Sequence, residues 1–255
     1  MISTRGSVVV PKAITDADGV LIGIEKDKEI RDKNWKKVRI EPFFDIISQL
    51  SKPQLQVLKE IMIICGERNN LAKCNTEYLS KKCNVSEKIA EETILVLKQN
   101  DFLRRVDSKK FMINPTIIYY GADNVKLKKQ YFSLSSKYKL KSYNNKEWQK
   151  LWVKNFFEKI QEDVSGKSML VIYCLLNNMY VGNNIAKLTQ RQIADKTGLS
   201  LQLVNRTLIK LKNQDLIYYT KDEVGIRINP ECVAGVSLER RLYIIDEYAE
   251  LSSCS

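Results

Sequence analysis

The chain contains no histidine in 255 residues. That absence removes the Ser-His-Asp and Cys-His nucleophile systems, histidine-based zinc sites and HUH-type nickases, all of which need an imidazole as base or ligand. No GxxxxGK[ST] or GxGxxG loop is present to cradle a nucleotide phosphate. The six cysteines (Cys65, Cys74, Cys83, Cys174, Cys232 and Cys254) include no CxxC pair. The opening residues, MISTRGSVVVPK, lack the apolar run of a secretory leader, and no stretch approaches transmembrane length. Reduced thiols in a soluble cytoplasmic protein are therefore expected. No catalytic residue, metal ligand or cofactor is expected either, so the chain reads as a binding protein and not an enzyme.

What the chain has instead is positive charge. Lysine and arginine total 42 against 30 acids, a net charge of +12. An excess of this size favours a polyanionic partner, nucleic acid ahead of a membrane surface. The excess is uneven. From Lys126 to Lys154 nine lysines face one acid, Glu147, with Tyr131, Phe132, Tyr138, Tyr143, Trp148 and Trp152 interleaved. Like charges at that density repel unless phosphates supply the counter-charge, so Lys137, Lys139 and Lys141 are candidate backbone contacts. The following NKEWQKLWVKNFFEKI carries apolar groups at Trp148, Trp152, Phe156 and Ile160, the spacing of an amphipathic helix with core-forming aromatics.

The most informative stretch is Asn183–Pro230. Leu188, Ile193 and Ala194 give one apolar face to a first helix. Gly198 ends it, and Ser200 can cap a second helix. Val204, Leu208 and Leu211 then recur at i, i+4 and i+7, a buried stripe. The opposite face carries Gln202, Asn205, Arg206, Lys210 and Lys212, side chains able to reach base edges and phosphates. Two short β runs, LIYYT and VGIRI, follow around a polar turn, placing Lys221 and Arg227 on a wing. The pattern predicts a winged helix-turn-helix.

The same pattern occurs 114 residues earlier. NNLAK lies over NNIAK, Ser86 over Ser200, Thr93 over Thr207, and Leu97, Lys98 and Asp101 over Leu211, Lys212 and Asp215. One extra residue in the second wing brings Ile113-Asn114-Pro115 onto Ile228-Asn229-Pro230. Matching ends are hard to explain by two unrelated helices, so an internal duplication is inferred. The helix containing Val57 and Leu58, opened by Ser51 and Pro53, has its counterpart at residues 166–176. The expected fold is mostly α with small β wings, as two tandem winged helix-turn-helix domains. The expected segments are an extended or hairpin region at 1–40, turning at Gly19, a first winged-helix domain at 41–132, a basic aromatic linker and helix at 133–160, and a second winged-helix domain at 161–255. Leu238, Leu242, Ile245 and Tyr248 line one face of the closing helix, which either seals the second domain or meets another chain.

The copies differ in charge. The helix after Ser86 presents Glu87, Glu91 and Glu92, whereas the helix after Ser200 has no acid up to Gln214. Carboxylates oppose phosphates, so the second copy is expected to read the major groove, with Arg206 suited to guanine and Asn205 to adenine. The first copy keeps a basic wing of Arg104, Arg105, Lys109 and Lys110, suited to the phosphate backbone or minor groove, and its helix either serves contact between protomers or, with the second copy, spans adjacent grooves roughly one helical turn apart.

At FMINPTIIYYG, and at WKKVRIEPFFDIISQLSKPQLQVLKEIM before it, the chain resembles the RepL-type firmicute plasmid replication proteins over roughly residues 36–132. The resemblance implies an initiator that binds an origin and recruits host replication proteins. That family commonly carries one such domain, so the second copy is a departure. Paired winged helices are similar instead to initiators of iteron-bearing plasmids, where one domain dimerises and the other dominates DNA reading. The resulting expectation is a sequence-specific double-stranded DNA-binding protein, a plasmid or phage replication initiator. It would act at an origin, as a homodimer or alone, with no membrane partner. A winged-helix transcriptional regulator at an operator is the alternative, and a protein-binding scaffold a third.

Overall fold

The computed structural model describes residues 35–66, 69–119, 124–139, 148–160, 166–180, 182–219, 225–235 and 238–253, together with four strands in the first 34 residues. Those strands are β1 (Ser7–Val9), β2 (Lys12–Thr15), β3 (Leu21–Glu25) and β4 (Glu29–Arg31). β2 pairs antiparallel with β3, the hairpin expected there, and β1 pairs with β4. Gly19, the expected turn residue, lies outside the described residues.

The first half of the body runs β5 (Trp35–Arg39), α1 (Ile40–Ile47), α2 (Lys52–Ile64), β6 (Leu71–Lys73), α3 (Thr76–Cys83), α4 (Glu87–Gln99), β7 (Leu103–Asp107), β8 (Lys110–Ile113), β9 (Ile118–Tyr119) and α5 (Asn124–Ser133). The second half repeats it: β10 (Trp148–Trp152), α6 (Val153–Lys159), α7 (Lys167–Asn177), a short extra β11 (Met179–Tyr180), β12 (Ile185–Ala186), α8 (Gln190–Thr197), α9 (Leu201–Asn213), β13 (Ile217–Tyr218), β14 (Ile226–Ile228), β15 (Val233–Ala234) and α10 (Leu238–Ser253). The molecule is thus mixed helix and sheet, with more strand than the sequence reading allowed for.

Each half has its own small sheet, ordered β6-β8-β7 in the first and β11-β12-β14-β13 in the second. The repeated motifs hold these units together. Asn70 and Asn184 take the left-handed conformation at φ +52 and +57, where asparagine is tolerated better than most residues. From there Asn70 Nδ2 donates to the Ile113 and Ile118 carbonyls at 3.4 and 2.6 Å, and Asn184 Nδ2 to those of Ile228 and Val233 at 3.3 and 2.6 Å. Asn114 and Asn229, in the Ile-Asn-Pro motifs, donate to the Asp101 and Asp215 carbonyls, both at 2.8 Å. The shared letters are therefore structural: they lock each half's β-hairpin to the chain on either side of it.

A third sheet, ordered β15-β10-β5-β9, joins the halves. Trp148–Trp152 is its strand β10, which corrects the helix expected there; only Val153–Lys159 is helical. Residues 148–160 thus belong to the second half and not to a linker. β10 pairs antiparallel with β5, with Lys150 opposite Lys37 and Trp152 opposite Trp35. The buried polar residues of the two strands play matching parts. Lys36 Nζ donates to the Cys65 carbonyl just after α2, and Gln149 Nε2 to the Leu176 carbonyl near the end of α7, satisfying helix-end acceptors that have no partner within the helix.

Behind this sheet the halves exchange helices. α1 packs on α7 of the other half, and α6 packs on α2. Phe44, buried, meets Tyr173 at 6.2 Å and Phe156 at 6.1 Å between ring centroids. One apolar core consequently runs from Val38 through both halves to Val233.

Candidate nucleic-acid interface

α9 is set up by local chemistry on both sides. Thr189 and Gln192 form a capping box at the start of α8, the Thr189 hydroxyl accepting from Gln192 N–H at 3.2 Å. Gly198 ends α8 at φ +68, and Ser200 Oγ then accepts from Leu203 N–H at 3.3 Å to start α9. Val204, Thr207, Leu208 and Leu211 are buried against α7 and α8. The face left outside presents Leu201, Gln202, Asn205, Arg206, Ile209 and Lys210. It carries no acid.

The equivalent face of α4 is equally exposed and opposite in character. Glu87, Lys88, Glu91, Glu92 and Leu95 stand where α9 has Leu201, Gln202, Asn205, Arg206 and Ile209. The difference extends to the preceding helix, where exposed Glu77 of α3 corresponds to exposed Arg191 of α8. Glu77 is held below its ordinary carboxylate range by its hydrogen bond to Lys81, so it is ionised at neutral pH. Arg191 was missed in the sequence reading. The acid-to-base exchange across the repeat is the signal that could have found it.

Several basic residues predicted to touch DNA are committed elsewhere. Arg104 is a correction: it is buried, clamps Asp101 through Nε and Nη2 at 2.9 and 3.2 Å, and donates to the Tyr131 and Leu134 carbonyls. Tyr131 completes that cluster by donating to Asp101 at 2.8 Å, and burial together with the Asp101 charge pushes its hydroxyl well above the ordinary tyrosine range. Arg227 is likewise tied into the fold, its Nη1 lying 3.1 Å from Glu247 of α10. Lys212 donates to the Tyr219 carbonyl at 3.2 Å and lies over the Tyr218 ring, bracing α9 against β13. Lys110 is paired with Asp107 at 2.8 Å across the turn between β7 and β8.

Arg105, Lys109, Lys137 and Lys139 are exposed. Arg105 rests beside the Phe111 ring at 5.2 Å, and Lys137 beside Tyr138 at the same distance. Lys141 and Lys221 lie outside the described residues. The structure therefore gathers Gln202, Asn205, Arg206 and Lys210 on one helix face, with Arg191 on the helix packed beside it. Of the other predicted residues that are exposed, Arg105 and Lys109 belong to the β7–β8 hairpin and Lys137 and Lys139 to the segment after α5.

α10 packs against its own half. Arg241 donates to the Pro230 carbonyl at 2.8 Å and stacks 3.6 Å from the Trp152 ring centroid, and Tyr248 donates to Asp215 at 3.2 Å. Of the apolar face expected for this helix, Tyr248 is buried and Ile245 only half-buried, with Ile244 buried instead, while the side chains of Leu238 and Leu242 lie outside the described residues. Asp215 also receives Lys159 Nζ at 2.6 Å, so each half ends on an aspartate, a tyrosine and a cation. No helix among the described residues is long and apolar enough to cross a membrane, and these residues contain no cluster of potential metal ligands.

Comparison with known proteins agrees with the duplication. The chain is 31% identical over 86 residues to a replication and maintenance protein of Bacillus subtilis, covering 33% of this chain and 57% of that one. A replication and maintenance protein of Staphylococcus aureus matches at the same identity and length, over 52% of its chain. The chain thus spans about half the length of the curated relatives it matches. No solved structure matches it. The model of the firmicute plasmid replication protein family, RepL, matches twice, over residues 10–137 and again over 135–254. With both halves matched, the chain belongs to the RepL family of firmicute plasmid replication proteins.

Proposed function

We propose that each half is a winged helix-turn-helix and that the chain binds double-stranded DNA sequence-specifically, as a replication initiator at a plasmid origin. It catalyses no reaction of its own in this reading and acts in the cytoplasm through host replication proteins. The observation that carries the proposal is the acid-free outer face of α9. Gln202, Asn205, Arg206 and Lys210 are all exposed there, on a helix whose opposite face is locked into the core. The order helix, strand, helix, helix, then two strands within each half supports the winged-helix reading.

In a major groove Arg206 supplies a bidentate donor for guanine O6 and N7, and Asn205 pairs with adenine N6 and N7. Leu201 and Ile209, exposed on the same face, supply apolar contacts for thymine methyls. Arg191, Lys210 and the lysines after α5 supply charge for phosphates and no sequence information. Family membership directs the search to the plasmid's own replicon. Footprinting the purified chain on that replicon should give a discrete protected site that weakens steeply as salt rises. Absence of salt-dependent, sequence-specific binding to any replicon segment would sink the proposal.

A further inference from the structure

We propose that this single chain is a covalently joined pseudo-dimer which, as one copy per site, reads an imperfect inverted repeat with two unequal half-sites. The inference rests on the DNA-binding reading above and adds the symmetry of the target. Its starting point is the strand pair β5 and β10. Sequence equivalence across the duplication places Trp35 over Trp148, Lys37 over Lys150 and Phe43-Phe44 over Phe156-Phe157. In the antiparallel register the equivalent residues Lys37 and Lys150 face each other, and Trp35 faces Trp152 while Arg39 faces Trp148. A strand that pairs antiparallel with its own copy about an equivalent position has a local two-fold axis through that position.

Two further observations obey the same axis, and the family match agrees with the duplication that the axis relates. On the outer edges β9 pairs with β5 through Lys37–Tyr119 and Val38–Ile118, and β15 pairs with β10 through Lys150–Ala234 and Leu151–Val233, the same steps in each half. The helix exchange is reciprocal: α1 on α7 mirrors α6 on α2. Finally, the family model matches once per half. Closed two-fold pairing is the commonest way identical chains associate, and here both partners lie in one polypeptide.

A two-fold axis sets α4 and α9 at equivalent positions, as it sets the two recognition helices of a homodimer. Duplex DNA has local two-fold axes of its own, so such a pair meets half-sites in inverted orientation. The surfaces are unequal, however. α9 presents Asn205 and Arg206 where α4 presents Glu91 and Glu92. The α9 half-site is therefore the strongly specified one. The α4 half-site is held by the basic wing, through Arg105 and Lys109, with the glutamates restricted to accepting from cytosine N4.

The test uses the full chain and the duplexes it recovers from a randomised library. Native mass spectrometry should find one chain per duplex, and hydroxyl-radical footprinting should show two protected patches about one helical turn apart. Two chains per duplex, or protection confined to one half-site, would overturn the pseudo-dimer while leaving DNA binding intact. Failure to recover any specific duplex would overturn the DNA-binding reading itself. A second arm grafts the α9 residues onto α4 as the exposed double variant Glu91→Asn/Glu92→Arg. This variant should select a more symmetric palindrome and bind it about tenfold or more tightly than the wild-type chain does. An unchanged selected sequence would show that α4 does not face the duplex, and would overturn the two-half-site reading.

Discussion

Asn184 is held at φ +57 with its amide donated to two buried carbonyls, those of Ile228 and Val233. Asn184→Ala loses those bonds and places alanine in the left-handed region, so a loss of about 2–4 kcal/mol is expected in denaturant melts. Asn70→Ala should cost a similar amount, because its geometry repeats that of Asn184. The exposed face of α9, proposed above to read bases, should behave differently. Arg206→Ala should leave the melt unchanged and cost about 1–3 kcal/mol of binding at one base position, read as relaxed specificity in competition assays. The buried thiols add a pH dependence. Burial pushes Cys65 up to about 11 and Cys232 up to about 12, whereas an unfolded thiol ionises near about 8.5. The folded chain keeps protons that the unfolded chain has released, so stability is intact below about pH 8.5 and falls as pH rises through the folded values. Tyr131 and Tyr248, raised by burial and by their aspartates, act in the same direction. Thermal melts should be level up to about pH 8 and then decline, and a melting temperature that climbs with alkali would contradict this. At this scale the sequence displayed the repeated asparagines and the basic side chains but not their surroundings. Arg104 and Arg206 are the same letter. Only the cage of Asp101 and Tyr131 around Arg104, and the lack of an acid along α9, separates a structural arginine from a candidate reader.

The turn between α8 and α9 was legible because its signals are local. Gly198 closes one helix at φ +68, and Ser200 opens the next. A Cβ on Gly198 would meet nothing within 4 Å, so any penalty there is backbone strain alone. The first copy has Asn84 at the equivalent place, at φ +52. Gly198→Asn should accordingly fold with little loss, whereas Gly198→Val should cost about 1–2 kcal/mol and loosen the placement of α9. Melting curves and affinities of the two variants check this together. Strand β10 was not legible for the opposite reason. Trp148, Trp152, Phe156 and Ile160 are spaced as on one helix face, and the strand runs directly into a helix, so the spacing persists across the junction. The alternation that would have marked a strand is masked by Gln149, a polar residue at a buried position that bonds to the Leu176 carbonyl. β5, by contrast, is the strand that WKKVRI suggests, even though Lys36 there is a buried polar residue. The partner of each strand lies in the other half of the chain, beyond the reach of any local window. The clue available was Trp35 through Phe44 lying over Trp148 through Phe157, an extension of the duplication upstream of the motifs that first revealed it.

At the scale of the molecule, tandem domains on a basic linker would unfold separately, and two halves that exchange helices would not. α1 completes the core around α7, α6 completes that around α2, and the β5–β10 pair closes a sheet to which both halves contribute two strands. Loss of one half strips apolar surface from the other, including Phe44 where it meets Tyr173 and Phe156. The halves should therefore melt in one cooperative transition, with calorimetric and van't Hoff enthalpies in agreement. Core truncations in either half make the test sharp. Leu97 in α4 and Leu211 in α9 occupy equivalent positions and are both fully buried. Leu97→Ala and Leu211→Ala should each cost about 2–5 kcal/mol. Each should lower the single transition for the whole molecule, as followed by fluorescence of Trp35, Trp148 and Trp152 at the junction and by hydrogen exchange in the small sheets of both halves. If Leu97→Ala splits the endotherm, with the second half melting at its original temperature, the halves are independent domains and the joined core does not couple them. If the transition moves as a whole, the shared sheet holds the two candidate reading helices in one fixed relationship, which reading two half-sites with a single chain requires.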